Sequence, residues 1–198
     1  MRKGAFADLL AAAKGSDPDT MSDILDALIG AGGPAVPALI RGLRDPDGQV
    51  HTIASIALGK IGKDAVLPLT EALREKDGLP RVKIADILAD MGEPALDGII
   101  ATLRDGDEEV RVLSALVLGE MRNPRGVAPL VSALGDASAN VRAQAAISLG
   151  ELDDPRAEEA LRTLADRDVS PGVREVAANA LLRILEVKEE AQAQETPR

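Results

Sequence analysis

Apolar residues recur along this chain with a period of about thirty residues. Each period carries a leucine at the same place, and these leucines are Leu28, Leu58, Leu88, Leu118, Leu149 and Leu181. The steps between them are 30, 30, 30, 31 and 32 residues. A fixed period of this length is typical of solenoid proteins, in which each repeat buries its apolar face against its neighbours. The pattern therefore predicts one repeat array over residues 1–187 rather than separate globular domains.

Each period divides into two amphipathic helices. In the second period the first helix has apolar residues at i, i+3, i+4 and i+7, namely Val36, Leu39, Ile40 and Leu43. After a turn at 45–48, a second helical face is formed by Val50, Ala54, Ala57, Leu58 and Ile61. Residues at these spacings lie on one side of a helix. The same template fits every period, so the sequence predicts an all-α fold of six helix pairs without strands.

Glycine and proline mark the limits of the six repeats. Gly32, Gly62 and Gly92 are of the type that ends a helix, and Asn123-Pro124 and Asp154-Pro155 mark the later boundaries. The predicted repeats are 4–33, 34–63, 64–93, 94–123, 124–154 and 155–187. The apolar period is lost after residue 187, and we predict that 188–198 is a disordered tail.

Three segments carry a family resemblance. They are Val110-Arg111 with 115–120, Val141-Arg142 with 145–150, and the Asn-Pro-Arg-Gly-Val-Ala-Pro-Leu segment 123–130. These segments resemble HEAT repeats, above all the short type of about thirty residues named after phycobilisome lyases. The resemblance implies a right-handed α-α superhelix in which the second helix of each pair lines the concave side. The sixth repeat departs from the pattern because Leu182 replaces a glycine, as in a capping repeat.

An acidic residue precedes a basic one by six positions in five of the repeats. The pairs are Asp45 and His51, Glu75 and Arg81, Asp105 and Arg111, Asp136 and Arg142, and Asp168 and Arg174. In HEAT proteins such pairs resemble a ladder that binds the turn between the helices to the following helix and to the next repeat. A catalytic arginine would not recur every thirty residues. We therefore predict a structural role for all ten residues, including His51, the only histidine.

The composition argues against catalysis. The 198 residues include no Cys, Trp or Tyr and one His, which excludes disulfides, thiolate chemistry and a His-His metal site. HEAT hydroxylases that depend on iron carry His-Glu pairs at metal-ligand positions, and His51-Thr52 departs from that pattern. The acidic clusters 105–109 and 153–154 lack the ordered alternation of an EF-hand loop. We therefore expect no enzyme activity, no cofactor and no metal.

The net charge and the length of the apolar stretches argue against two classes of partner, nucleic acid and membrane. The formal net charge of -10 disfavours nucleic-acid binding, for which Lys and Arg supply most of the affinity. HEAT-like DNA glycosylases depend on a basic groove and aromatic contacts, whereas the only aromatic residue here is Phe6. No stretch has the ~18 apolar residues of a membrane span. We expect a soluble cytoplasmic protein that binds neither nucleic acid nor membrane.

The phase of the second helices predicts the residues that line the concave groove. In the middle repeats they are Ile53, Ile56, Lys60, Lys83, Asp86, Asp90, Leu113, Leu116, Glu120, Gln144, Ile147 and Glu151. The same phase adds Gln49, Leu79, Glu109 and Asn140, and in the end repeats Asp19, Asp23, Asp26, Gly30, Gly172, Val176, Asn179 and Arg183. Large apolar residues within a polar rim mark interaction sites. Ile53 and Leu113 lie near the edge of the core arc, where filling the seam between repeats is an equal alternative.

These features predict a non-enzymatic protein-binding scaffold. Its acidic groove would hold a partner segment with apolar and basic residues. The alternative implied by the resemblance is an accessory subunit of an enzyme complex, as phycobilin lyase subunits are, which presents a chromophore or a client protein. Nucleic-acid binding is a third hypothesis, which the charge disfavours, and self-association through the groove stays open.

Overall fold

The structure, a computed structural model, describes residues 4–75 and 81–195, with side chains as far as residue 190. The described residues form twelve α-helices and no strand. In chain order the helices are α1 (Ala5–Ala11), α2 (Pro18–Ala31), α3 (Val36–Gly42), α4 (Gly48–Ile61), α5 (Lys63–Ala72), α6 (Arg81–Met91), α7 (Glu93–Thr102), α8 (Glu108–Glu120), α9 (Val127–Ala133), α10 (Ala139–Leu152), α11 (Glu158–Arg167) and α12 (Pro171–Glu195). The predicted all-α fold of six helix pairs is confirmed, and its handedness stays a prediction.

Carboxylates organise the turn that leads into a second helix. Asp45 accepts a hydrogen bond from the backbone N–H of Asp47 at 3.0 Å. The Asp47 carboxylate then caps α4 by accepting from the N–H groups of Gln49 and Val50, at 2.9 and 3.1 Å. Such caps satisfy N–H groups that have no partner inside the helix. The same arrangement recurs before α8 with Asp105 and Asp107 and before α10 with Asp136 and Ser138.

Left-handed residues separate one repeat from the next. The first three boundaries have glycine there, with φ of 62° at Gly32, 68° at Gly62 and 61° at Gly92. Glycine adopts this conformation without a Cβ clash. At the later boundaries Arg122 and Asp153 take the left-handed position, with φ of 46° and 51°. Each is followed by a short 3-10 turn that begins with proline, Pro124–Gly126 or Pro155–Ala157.

The recurring leucines form the centre of the core. The first five of them have no exposed surface, and these are Leu28, Leu58, Leu88, Leu118 and Leu149. Leu181, in the last repeat, is half-buried. The period read from the sequence is therefore the period of burial between neighbouring helices.

The chain divides into two compact halves. The N-terminal half is Met1–Gly98 and the C-terminal half is Ile99–Arg198. Helices α1 to α6 belong to the N-terminal half and α8 to α12 to the C-terminal half, while the boundary falls within α7. One continuous array over 1–187 stays a prediction.

The last helix corrects the predicted tail. Helix α12 continues to Glu195, so disorder from residue 188 is wrong for 188–195, and 196–198 lie outside the described residues. Lys188 binds the Glu158 carboxylate of α11 at 2.9 Å, which ties the extension to the preceding helix. The segment is rich in Ala, Glu, Gln and Lys, which favour helix, and loss of the apolar period therefore does not end α12.

Candidate partner-binding face

The predicted groove residues lie on the second helices, and most of them are accessible. We call the accessible surface of the second helices, taken in each half by itself, the second-helix face. Its exposed members are Ile56, Lys60, Lys83, Asp90, Glu120 and Ile147, and its half-buried members are Asp86, Leu116, Gln144 and Glu151. Leu79 lies outside the described residues. The face therefore combines aliphatic side chains with charges of both signs.

Two predicted groove residues are buried. Ile53 is 2% exposed and Leu113 is 6% exposed, so their assignment to the groove is wrong. Both directly precede a buried residue of the same second helix, Ala54 or Ser114. In the N-terminal half, α4 contacts both α2 and α6. The position of a residue on one helix does not show how far its neighbours extend over it.

A hollow lies between α4 and α6 in the N-terminal half. It encloses about 280 Å³ and is lined by Ser55, Ile56, Gly59, Lys60, Ile87 and Asp90. Ile56 is 42% exposed, whereas Ile87 is 6% exposed and forms part of the apolar wall. Lys60 and Asp90 stand on different helices, and neither makes a salt bridge with any residue that the structure describes. The α4–α6 hollow is thus an apolar depression with two unpaired charges at its rim.

A hollow at the same repeat position lies between α10 and α12 in the C-terminal half. It encloses about 260 Å³ and is lined by Ile147, Gly150, Glu151, Val176, Asn179, Ala180 and Arg183. Ile147 is 41% exposed. Arg183 donates a hydrogen bond from Nε to Asp153 Oδ1 at 2.8 Å. The α10–α12 hollow therefore resembles the α4–α6 hollow, except that its basic side chain already has a partner.

A recurring glycine distinguishes the two hollows. Gly59, Gly119 and Gly150 each directly follow the recurring leucine. A Cβ atom on Gly150 would lie 3.0 Å from the Cβ of Ala180, and one on Gly119 would lie 2.7 Å from Ser148 Oγ, so both glycines permit close helix packing. Apart from the backbone of α4 itself and the residues next to Gly59 in the chain, no described atom lies within 4 Å of a Cβ built on Gly59. The space taken by a neighbouring helix in the C-terminal half is open above Gly59.

Arginine and aspartate connect consecutive repeats in the C-terminal half. Arg111 binds both carboxylate oxygens of Asp136, at 2.8 and 3.0 Å, and also donates to the backbone carbonyl of Asp105 at 2.9 Å. Arg142 binds Asp168 in the same way, at 2.7 and 2.9 Å, and donates to the carbonyl of Asp136. The carboxylate partner therefore lies 25 or 26 residues ahead, whereas the acid six residues behind contributes its carbonyl.

The ladder carboxylates are held in the ionised form. The hydrogen bonds from Arg142 hold the pKa of Asp168 below its usual range. Burial raises the pKa of Asp136, but the hydrogen bonds from Arg111 and from the N–H of Ser138 outweigh burial, so that the pKa of Asp136 is also lowered. Bidentate contacts between Arg and a carboxylate are stronger than single ones.

In the N-terminal half, the carboxylates at the turns between helices pair with basic residues other than those that the six-residue spacing predicts. Asp45 pairs with Lys14 at 2.9 Å, not with His51 as the six-residue spacing predicts. Glu75 is bound by Arg44, and both side chains are substantially exposed. Arg81 donates to the backbone carbonyl of Glu75 at 3.4 Å, as Arg174 does to that of Asp168 at 2.6 Å. His51 is too short to span the turn as arginine does, and it is half-buried.

Ser55, Gly59 and Ile87 line the α4–α6 hollow and are absent from the predicted groove. The signal for Gly59 is present in the sequence, because glycine recurs after the leucine in three repeats. Gly119 and Gly150 meet the small residues Ser148 and Ala180 of the next second helix. The residue of α6 at the same repeat position is Ile87, which is larger, and this difference in size is visible in the sequence. A larger side chain there fits a wider separation of α4 and α6.

Repeated helix pairs and a family match decide the classification. The model for HEAT repeats matches residues 96–182, which run from within α7 to the middle of α12. Residues 96–182 of the chain therefore form HEAT repeats. No curated protein is similar to it in sequence.

Solved structures of helical repeat proteins share the fold of this chain. Human deoxyhypusine hydroxylase in complex with glycerol has a TM-score of 0.54 at 22% identity, covering 92% of this chain and 85% of that chain. The complex of CpcE and CpcF of phycocyanin lyase from Nostoc sp. PCC7120 has a TM-score of 0.55 at 24% identity, covering 74% and 97%. Cex1p has a TM-score of 0.50 at 17% identity, covering 99% and 45%. At these identities the likeness shows the fold alone.

Two further properties of the described residues concern metal binding and membrane spanning. Within 4–75 and 81–190, no three His, Cys, Asp or Glu side chains come together as ligands for a metal ion. No single described helix is long and apolar enough to cross a membrane; Pro18–Ala31 and Gly33–Gly42 reach that length and composition only as a pair bent by 112°.

Proposed function

We propose that this chain is a non-enzymatic protein-binding module whose second-helix face binds a segment of a partner. The observation that carries the proposal is the recurrence of an exposed isoleucine. Ile56 and Ile147 both lie two residues before the recurring leucine, are 42% and 41% exposed, and stand at the edge of a hollow. Leu116 occupies the same position in α8 and is half-buried. HEAT repeats are typical of protein-interaction scaffolds, which supports this function.

Apolar anchors and charges contribute differently to such binding. Each aliphatic side chain contributes roughly 1.5–3 kcal/mol if a partner buries it fully. The charges at the rim set the rate and salt dependence of association more than the final affinity. The excess of carboxylates in the chain, with a net charge of -10, favours a partner segment that carries Lys or Arg.

The likeness to CpcE and CpcF gives no residue that favours the accessory-subunit hypothesis over a general binding module. The same is true of the hydroxylase likeness, since His51 is the only histidine of the chain. We therefore propose a single function and do not transfer a chromophore, a substrate or a metal from these structures.

Affinity capture with mass spectrometry tests the proposal. Wild type is compared with an Ile56→Asp, Ile147→Asp variant and with a matched Leu67→Asp, Val169→Asp control. The control residues are 66% and 88% exposed and lie outside the second-helix face. We expect a partner captured by wild type and by the control but lost with the Ile56, Ile147 variant, while all three keep the same helicity and Tm.

Equal capture by all three proteins would contradict the proposal, because the partner would then bind elsewhere. Loss with the control alone would place the site on the first-helix side or the turns. A circular dichroism melt of each variant excludes unfolding as the cause of a loss.

A further inference from the structure

We propose that the α4–α6 hollow is the anchoring subsite of the second-helix face, which takes one aliphatic side chain of an extended, basic partner segment. This inference rests on the proposed function and adds the position and chemistry of the main contact. The hollow is built entirely from α4 and α6, with the carboxylate of Asp90 at its rim, and Asp26 and Asp86 occupy the repeat position of Ile56 on α2 and α6 of the same half.

The open space above Gly59 is the steric basis. In the C-terminal half, the corresponding glycines face Ser148 and Ala180 of the next second helix at van der Waals distance or closer. Gly59 has no such neighbour, since nothing lies within 4 Å of the place of its Cβ. A side chain from another molecule can therefore approach the α4 backbone at Gly59 as closely as a packed helix approaches Gly150.

The walls of the hollow fit an aliphatic group. Ile56 and Ile87 supply apolar surface, and the methylene stem of Lys60 adds to it. The volume of about 280 Å³ is larger than a ~150 Å³ apolar cavity that accepts benzene, so a leucine or isoleucine side chain has room. The part of Ile56 that solvent now reaches would be covered on binding.

The charged residues of the face on α2, α4 and α6 include three carboxylates, Asp26, Asp86 and Asp90, against two lysines, Lys60 and Lys83, and this excess of acid favours basic residues beside the anchor. The position two residues before the recurring leucine is occupied by Asp26 in α2, by Ile56 in α4 and by Asp86 in α6. Asp26 is exposed and Asp86 is half-buried beside Lys83 at 3.6 Å, while Asp90 adds a third carboxylate at the rim. An apolar position thus lies between carboxylates of the two neighbouring helices.

The distance between neighbouring helices predicts how far apart the basic and aliphatic residues of the partner segment should be. Packed helices lie about 8–10 Å apart, and an extended chain advances about 3.3 Å per residue. A segment that crosses α2, α4 and α6 therefore places bases about three residues before and after its aliphatic residue. The flexible arms of Lys or Arg can reach carboxylates on either side of the segment.

The α10–α12 hollow lacks two of these properties. Arg183 is already bound by Asp153, and Ala180 occupies the space next to Gly150. Glu151, the acid at its rim, is half-buried. The two hollows share Ile56 or Ile147 as the exposed apolar residue, but only the α4–α6 hollow combines that residue with open space and unpaired charges.

A nuclear magnetic resonance titration tests the subsite with a defined probe. The probe is a blocked peptide with the sequence Lys-Ser-Ser-Leu-Ser-Ser-Lys, and the full chain carries isotope labels on amide and isoleucine methyl groups. We expect saturable shifts at Gly59 and at the Ile56 and Ile87 methyl groups. Peptides with Ser in place of Leu, or with Glu in place of both Lys, should bind at least ten-fold more weakly.

Substitution of Gly59 separates insertion into the hollow from contact with its rim. Gly59→Leu fills the hollow, and Gly48→Leu changes an equally open glycine at the other end of the same helix. We expect Gly59→Leu to weaken peptide binding at least ten-fold and Gly48→Leu to leave it within two-fold. Both variants should fold, because nothing lies within 4 Å of either new Cβ.

The charge requirement has its own matched pair of variants. Asp26→Asn with Asp90→Asn removes two carboxylates from the face, whereas Asp8→Asn with Asp64→Asn removes two exposed carboxylates elsewhere in the same half. We expect the first pair to weaken the lysine peptide several-fold more than the second. Equal effects of the two pairs would show attraction by net charge alone and would overturn the subsite.

Other results of the titration would overturn the α4–α6 hollow as the anchoring subsite. No shift at millimolar peptide, or undiminished binding by Gly59→Leu, overturns the subsite while capture through Ile56 and Ile147 can still support the proposed function. Saturable shifts at Ile147 and Val176 instead would keep the second-helix face as the binding surface and overturn the α4–α6 hollow as the anchor in favour of the α10–α12 hollow.

Discussion

The two halves of the chain join their repeats by different chemistry. In the C-terminal half, Arg142 and Asp168 are 11% and 5% exposed and make a bidentate contact. In the N-terminal half, Arg44 and Glu75 are 36% and 54% exposed. The contact in the C-terminal half is therefore shielded from solvent, whereas the one in the N-terminal half competes with water. The same helix-pair template can carry either kind of connection.

The recurring glycine shows the same division. Gly119 and Gly150 serve helix packing, and Gly59 leaves an open hollow. One half thus uses the glycine for its own structure, while in the other half the glycine is available to a ligand. Under the proposed function, stability and binding are therefore separated within one repeat pattern by the residue that faces the glycine.

Loss of a shielded arginine should have the largest effect on stability. Arg142→Ala leaves Asp168 without its bidentate partner and frees the carbonyl of Asp136. We expect a loss of about 2 kcal/mol in the free energy of unfolding, measured by urea denaturation. Arg44→Ala, the control in the exposed pair, should cost at most about 0.5 kcal/mol. Equal losses would show that the two halves do not differ in the way that exposure indicates.

Adding a methyl group at the recurring glycine should change stability in opposite directions. Gly119→Ala places a Cβ 2.7 Å from Ser148 Oγ and 2.8 Å from Ser148 Cβ, so we expect a net loss of about 1 kcal/mol from overpacking. Gly59→Ala meets no atom within 4 Å and should gain up to about 1 kcal/mol from helix propensity.

Thermal unfolding of both alanine variants measures these changes. A stabilised Gly119→Ala would mean that α8 and α10 move apart at no cost. A destabilised Gly59→Ala would mean that α6 packs on α4 more closely than the open hollow indicates.

Acid should reduce the advantage of the shielded contact. The pKa of Asp168 is lowered by Arg142 in the folded chain, so its contribution is present above the unfolded pKa of ~3.9 and is lost as pH falls through the folded value. We expect the stability difference between wild type and Arg142→Ala to shrink from pH 7 to pH 3. A difference that stays constant over this range would contradict ionisation of Asp168 as its source.

The fold could be predicted because burial and sequence share one period. The five leucines that recur at steps of 30 or 31 residues have no exposed surface, so the period of the sequence is also a period of burial. The exposure of Ile56 and Ile147 followed from the helical phase alone. The burial of Ile53 and Leu113 did not follow, because the phase of one helix does not show how closely other helices pack against it.

The partners in the ladder and the width of the α4–α6 hollow could not be predicted, because both depend on distances in space that the spacing of residues along the sequence does not give. Arginine is long enough to pass the acid six residues behind and reach the carboxylate of the next repeat, as Arg111 reaches Asp136. His51 lacks that reach, and Glu75 of the next repeat pairs with Arg44 instead. The width of the α4–α6 hollow depends on the pair Gly59 and Ile87, whose members come from different repeats. The phase of a single helix carries no information about such a pair.

The carboxylate of Asp136 has a consequence for cooperativity. It holds its own turn through the N–H of Ser138 and at the same time binds Arg111 of the preceding repeat. Melting either repeat therefore removes a bond from the other, which is the nearest-neighbour coupling of a one-dimensional array. With Asp168 repeating the arrangement, we expect α8, α10 and α12 to exchange their amide hydrogens as one block, with no repeat among them able to open alone.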